Sequence, residues 1–210
     1  MVSALLASLS YLLLTAPLSV SLGPDNKWKV VEGNARENYY QLTEEDGHTV
    51  FHAIYPRHIN TVTLAREVPK PAHLFRHVSW NWRVHAFPVD ADERVKSKSD
   101  SACAFYATFG NTLHRQSLKY VWSSTLPTGT VASVHKTLFY DVVTIVLEGP
   151  TDTNVWKHET IDLAADWVRF YEPKRRPSEA PEAVAMAILT DGDETHSNPA
   201  ADYSDIKMLP

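Results

Sequence analysis

A single cysteine, Cys103, stands in the 210-residue sequence, so no intramolecular disulfide can form and the fold rests on its core alone. Cys103 lies inside an apolar stretch from Ala102 to Phe109, where a buried, inert thiol is the expectation. Glycines number only seven, and none belongs to a Gly-rich phosphate loop or a G-x-S-x-G elbow; no C-x-x-C occurs either. Nucleotide, hydrolase-elbow and redox readings therefore have no starting point. Positive charge is also scarce. The formal net charge is -5, and the run Lys174, Arg175, Arg176 is too short to hold a phosphate backbone, which excludes nucleic acid as a partner.

Long apolar runs are missing apart from one at the start. Residues 1–21 combine the stretch Ala4 to Leu14 with Pro17 and small residues at Ser19 and Ser21, the pattern of a signal peptide cut between Ser21 and Leu22. No Lys or Arg precedes the apolar core, so a single uncleaved anchor is the alternative, and membrane contact would come only through it. The run is short of the roughly 20 residues that span a bilayer. Residues 22–210 have the length of one domain with a real core, expected to be monomeric and periplasmic or secreted.

What the chain has in quantity is short runs rich in Val, Thr, Tyr and Trp, separated by Pro, Gly, Asn and Asp. They fall near 28–31, 39–42, 49–55, 60–67, 75–85, 102–109, 117–124, 138–148, 156–162, 183–190 and 203–208. The fold class they define is all-β, an antiparallel β-sandwich or jelly roll. One short helix is expected near 162–171, capped by Asp162, with Leu163, Trp167 and Phe170 on one face and the prolines 173, 177 and 181 beyond it. In Val78 to Val84, a period of two sets Val78, Trp80, Trp82 and Val84 against Ser79, Asn81 and Arg83, which makes both tryptophans core residues. The same alternation separates Tyr120 and Trp122 from Lys119, Val121 and Ser123 without saying which set looks inward.

Candidate chemistry concentrates near the C-terminus. Asp191 and Asp193 flank Gly192, with Glu194 and Asp202 close behind, and such carboxylates are the hard oxygen ligands that calcium takes. Asp191, Asp193 and Asp202 are the candidate calcium ligands, against the plainer reading of a solvated acidic turn. The spacing does not complete a helix-loop-helix calcium loop. A second group joins Asn81 and Arg83 to Asp100 if their strands are neighbours, since Arg pairs with a carboxylate of protein or sugar alike. With Tyr120 and Tyr203, these form the candidate ligand-binding set. His48 and His52 share a strand face, and His73 and His77 flank a strand start, but no third ligand stands at a metal-binding spacing. Carboxylates for glycosidic cleavage could come from Glu148, Glu159, Asp141 or the acidic turn, and only their separation would decide.

The residues 79–84, Tyr120 to Ser124 with Leu126 to Gly129, Trp156 to Trp167, and Ala187 to Thr195 leading to Tyr203 to Ile206 resemble a bacterial family known as domain of unknown function 3047. The resemblance runs from about Phe51 to the end and implies an exported protein with a galactose-binding-like jelly roll. The chain departs from the family pattern at several places. A double aspartate followed by an arginine is replaced by Ser99, Asp100 and Ala104, and an arginine by Asn81. The acidic turn has Gly192 where Thr is common and Glu194 where Asn is common. Such losses weaken catalysis more than binding. The expectation is a non-catalytic module recognising a glycan or other acidic or polar polymer; a polysaccharide-active enzyme and an envelope assembly protein are the alternatives.

Overall fold

Alternating inward and outward residues build two facing sheets around the tryptophans of the middle strands. The computed structural model describes residues 19–23, 25, 27–111 and 113–210. Most of the leader stretch, up to residue 18, lies outside the described residues. Among those described, the strands in chain order are β1 (Val20–Ser21), β2 (Lys29–Glu32), β3 (Tyr40–Glu45), β4 (His48–Ile54), β5 (Thr63–Glu67), β6 (His77–Ala86) and β7 (Cys103–Gly110). They continue as β8 (Arg115–Trp122), β9 (Val131–Lys136), β10 (Tyr140–Glu148), β11 (Lys157–Asp162), β12 (Ala183–Leu189) and β13 (Ala200–Leu209), with a helix α1 (Leu163–Tyr171).

One sheet has the order β11-β6-β13-β4-β3, with β1 paired to the far end of β13; the other runs β2-β5-β12-β7-β8-β10-β9. The antiparallel sandwich of jelly-roll type holds, with one exception: β8 and β10 run parallel, because β10 inserts between β8 and its own hairpin partner β9. Val20 and Ser21 sit opposite Met208 and Lys207, and Leu22 is buried, so the expected cut after Ser21 falls directly behind a paired strand.

Local sequence explains the elements. The β3–β4 hairpin turns at Asp46-Gly47, both with positive φ (50° and 80°), the conformation a tight hairpin demands and that Gly adopts without strain. In β6 the alternation places Val78, Trp80, Trp82 and Val84 in the core, each 0% exposed. Trp80 stacks on Phe105 of the opposite sheet with ring centroids 4.1 Å apart, an offset contact that adds about 1 kcal/mol to area burial. In β8 the inward set is Tyr120 and Trp122. The helix begins where Asp162 accepts a hydrogen bond from the Ala165 N–H at 2.9 Å. It lies against the sandwich through Leu163, Trp167 and Val168, and Trp167 Nε1 donates to Gln116 Oε1 at 2.9 Å.

Candidate functional site

The outward residues of the seven-stranded sheet line a concave surface. Their register aligns Lys29, Ala65, Ala187, Tyr106, Lys119 and Thr144 in one row across β2, β5, β12, β7, β8 and β10. The adjacent row carries Glu67, Ala185, Thr108, Ser117 and Val142. Because alanines occupy the middle of both rows, the sheet is recessed there, and a trough of about 760 Å³ opens between Val31 and Lys70 on one side and Tyr106 and Tyr140 on the other. That volume is in the range of small-molecule sites. A smaller recess of about 470 Å³ continues over Lys27, Lys29 and Arg66, and Arg115 lines both.

Electrostatics keeps Tyr106 of the trough neutral and Lys119, its neighbour across the strand pair, charged. Burial, set against the nearby Lys119 ammonium, pushes the Tyr106 phenol up to about 12, so it is a hydrogen-bonding hydroxyl at any physiological pH. Burial alone would lower Lys119, but Tyr106, Asp191 and Glu93 outweigh it and hold the amine above its ordinary value. Its Nζ lies 5.6 Å from the Tyr106 ring centroid, within reach of a cation–π contact.

Beyond this row lies the acidic turn. Asp100, Asp191, Asp193 and Glu194 each offer an oxygen within 4.8 Å of the others, a group with the chemistry to hold a hard cation. Asp100 is fully buried and accepts from the Thr195 N–H at 2.7 Å. Burial raises Asp191 to about 7, and burial with Asp193 and Asp100 also raises Glu194. Asp193 is lowered: burial opposes its charge, but hydrogen bonds from its neighbours prevail. Gly192 is enforced by crowding, since a Cβ there would meet Ser197 O at 2.8 Å and Tyr55 Cδ1 at 2.9 Å.

The outer face of the six-stranded sheet carries a separate polar network. Arg83 makes a bidentate pair with Glu45 at 2.9 and 2.6 Å and lies 4.4 Å over the Trp156 ring. Its Nε donates to Asp202 at 2.9 Å, and His52 Nδ1 and His85 Nε2 approach the same carboxylate at 2.6 and 2.7 Å. Asn81 donates to Asp205 at 3.0 Å and meets His158.

The structure thus redistributes the expected site. Asp191 and Asp193 are together, but Asp202 belongs to the His52–His85–Arg83 network on the other sheet, because β13 turns it outward beside β4 and β6. Asp100 joins the acidic turn and not Asn81 and Arg83. Tyr120 and Tyr203 line no open surface: both are 0% exposed, with hydroxyls donated to Asp166 at 3.0 Å and to the Leu189 carbonyl at 2.6 Å. Of the candidate carboxylates, Glu148 and Glu159 do meet, at the sandwich edge below Trp82, whose Nε1 donates to Glu159 at 3.2 Å. Burial and the Glu148 charge raise Glu159 to about 7. Cys103 is buried, which pushes its thiol up and keeps it unreactive. Tyr106, Tyr140, Lys119 and Arg115 were not expected; the signal was the strict alternation of Ala185 and Ala187 with Met186 and Ile188, which marks an outward face left low on purpose of shape.

A jelly-roll sandwich with one open, recessed sheet face is the class that fold and trough define. The chain belongs to the family described as "Protein of unknown function (DUF3047)", whose model matches residues 26–207. No curated protein matches. Among solved structures, the chain is similar to the xyloglucanase domain of NopAA, a type three effector from Sinorhizobium fredii in complex with cellobiose: 10% identity, 87% of this chain and 93% of that chain covered, TM-score 0.45. It is also similar to a cellulase derived from Cel12A of Rhodothermus marinus: 11% identity, 92% and 99% covered, TM-score 0.48. A third is the family 11 carbohydrate-binding module of a cellulosomal cellulase of Clostridium thermocellum: 8% identity, 94% and 90% covered, TM-score 0.39.

Proposed function

We propose that this protein is exported and binds a saccharide chain, without cleaving it, in the trough on the outer face of the seven-stranded sheet. The observation that carries the reading is the pairing of an alanine floor, Ala65, Ala185 and Ala187, with the tyrosines Tyr106 and Tyr140. Sugar rings present flat apolar faces and a rim of hydroxyls. A recessed floor admits the ring, a tyrosine supplies both apolar area and a hydroxyl, and Asn111, Lys70 and Arg115 add donors at the rim. Export rests on the apolar leader pattern of residues 1–21.

Non-catalytic binding is favoured because cleavage asks for two carboxyls across the ligand with their pKa values driven apart. Glu159, which burial and the Glu148 charge raise, is not among the residues lining the trough, and neither is Glu148. Calorimetric titration with soluble oligosaccharides, run beside a reducing-end assay, tests the reading: heat of binding that vanishes in Tyr106→Ala, with no new reducing ends, is expected. Release of reducing ends would instead indict Glu32 and Glu67, the carboxylates that line the trough, and absence of binding to every saccharide class would remove the proposal. Sequencing the N-terminus of protein recovered outside the cytoplasm tests export.

A further inference from the structure

From the distribution of charge along the trough, we infer that the saccharide it takes is acidic, its anionic group seated at the end formed by Lys27, Lys29 and Arg115. This rests on the saccharide-binding reading and names the ligand class within it. The chain as a whole is acidic, with a formal net charge of -5. The two joined recesses reverse that sign: five cations line them, Lys27, Lys29, Arg66, Lys70 and Arg115, against two carboxylates, Glu32 and Glu67.

What those charges already touch sharpens the point. Lys70 reaches Glu182 at 3.9 Å, and Arg66 reaches Asp25 through Nη1 at 3.1 Å. Glu32 is occupied on the other side, accepting from Thr63 Oγ1 at 3.0 Å. Among the described residues, Lys27, Lys29 and Arg115 make no ion pair with any carboxylate, and the buried Arg66 Nε has no hydrogen-bond partner. Arg66 is already held by Asp25 and the Gly23 carbonyl, so the cations open to a ligand are Lys27, Lys29 and Arg115. Charges concentrated in a concave, partly apolar recess focus the field and raise the local concentration of an oppositely charged ligand.

Arg115 occupies the hinge of the arrangement, because it lines both recesses. A sugar ring on the alanine floor beside Tyr106 and Tyr140 therefore has a planar guanidinium within the same groove, the geometry that suits a carboxylate. Lys29 stands next to Ala65 in the cross-strand row and adds a second cation on the same line. A nucleic acid would share the charge but not the ring-sized floor, and it serves as a control rather than a candidate.

The test compares three probes of matched length by calorimetry on the full chain: an oligogalacturonate, a neutral gluco-oligosaccharide and a single-stranded oligonucleotide. Expected is binding of the uronate at least about tenfold tighter than of the neutral oligomer, falling as salt is raised from about 50 mM to about 500 mM. In the exposed-site variant Lys29→Gln/Arg115→Gln, with thermal unfolding run as the folding control, the preference should collapse to near parity. Equal wild-type affinity for uronate and neutral oligomers overturns the acidic assignment while leaving the saccharide reading standing. Oligonucleotide affinity equal to that of the uronate overturns it as mere polyanion attraction, and no saccharide binding at all removes both. A sulfated oligomer as a fourth arm separates a carboxylate from a sulfate ester as the anionic group.

Discussion

Nε2 of His85 stands 2.7 Å from Oδ2 of Asp202, on a strand pair where the same carboxylate also receives Arg83 and His52. Asp202 is 1% exposed, so these donors replace water entirely. Burial by itself would raise its carboxyl, and the bonds from His52, Arg83 and His85 overcome that and hold it below the ordinary carboxylate range. A depressed folded value means that the stabilisation is complete above the unfolded carboxyl's value of about 3.9 and is lost as pH falls through the folded one.

Asp202→Asn is accordingly expected to cost about 3 kcal/mol at pH 7, the scale for removing one partner of a buried ion pair. Urea unfolding measures it. The variant's acid limb should also be flatter than the wild type's, and a loss well under about 1 kcal/mol would show the network to be surface decoration.

Glu159 carries the opposite sign. Burial, then the charge of Glu148, raises it to about 7, so between about 4.3, the unfolded value, and 7 the folded chain binds the extra proton and stability declines as pH rises. Glu159→Gln removes that decline. It should be more stable than the wild type by about 1 to 2 kcal/mol at pH 8, with little difference at pH 4, read from melting curves at both pH values.

Ala187 forms part of the trough floor and is cross-strand neighbour to Tyr106. Ala187→Leu grows into the open volume and not into the core, so melting temperature should move by no more than about 4 °C, while saccharide binding in the calorimeter is lost. Loss of both together would mean that the floor is structural.

The acidic turn makes a separate prediction. With four carboxylates in mutual reach, a hard cation that binds only the folded form should raise stability, by about 3 kcal/mol at a hundredfold excess over its dissociation constant. Thermal unfolding at millimolar calcium checks this, with Asp191→Asn/Asp193→Asn as the variant in which the shift should disappear. An unshifted wild type removes calcium from the account.

The sandwich was legible where one face is strongly apolar, because a period of two then has a single burial solution; β6 and its tryptophans are the example. β9 was missed since Val131 and Val134 stay exposed at the sheet edge and its alternation carries no core signal. β1 was missed because its two residues lie within the leader-like stretch. Tyr120 and Tyr203 were misplaced because a phenol reads equally as core or as ligand contact, and only the partner for its hydroxyl decides. The acidic turn was half legible: Asp191 and Asp193 are adjacent in sequence, whereas Asp100 reaches them from a distant loop. The trough depended on strands remote along the chain coming into register, so its alanines looked like filler.

β13 lies at the heart of the six-stranded sheet, between β6 and β4, yet it is the last strand in the sequence. Until Ala200–Leu209 emerges during synthesis, two long hydrophobic edges have nothing to close them, and the layer cannot zip shut. Closure of this layer therefore waits on residues far along the chain from β4 and β6, and any stop codon before Ala200 would leave a sticky, half-built shell for proteases to clear.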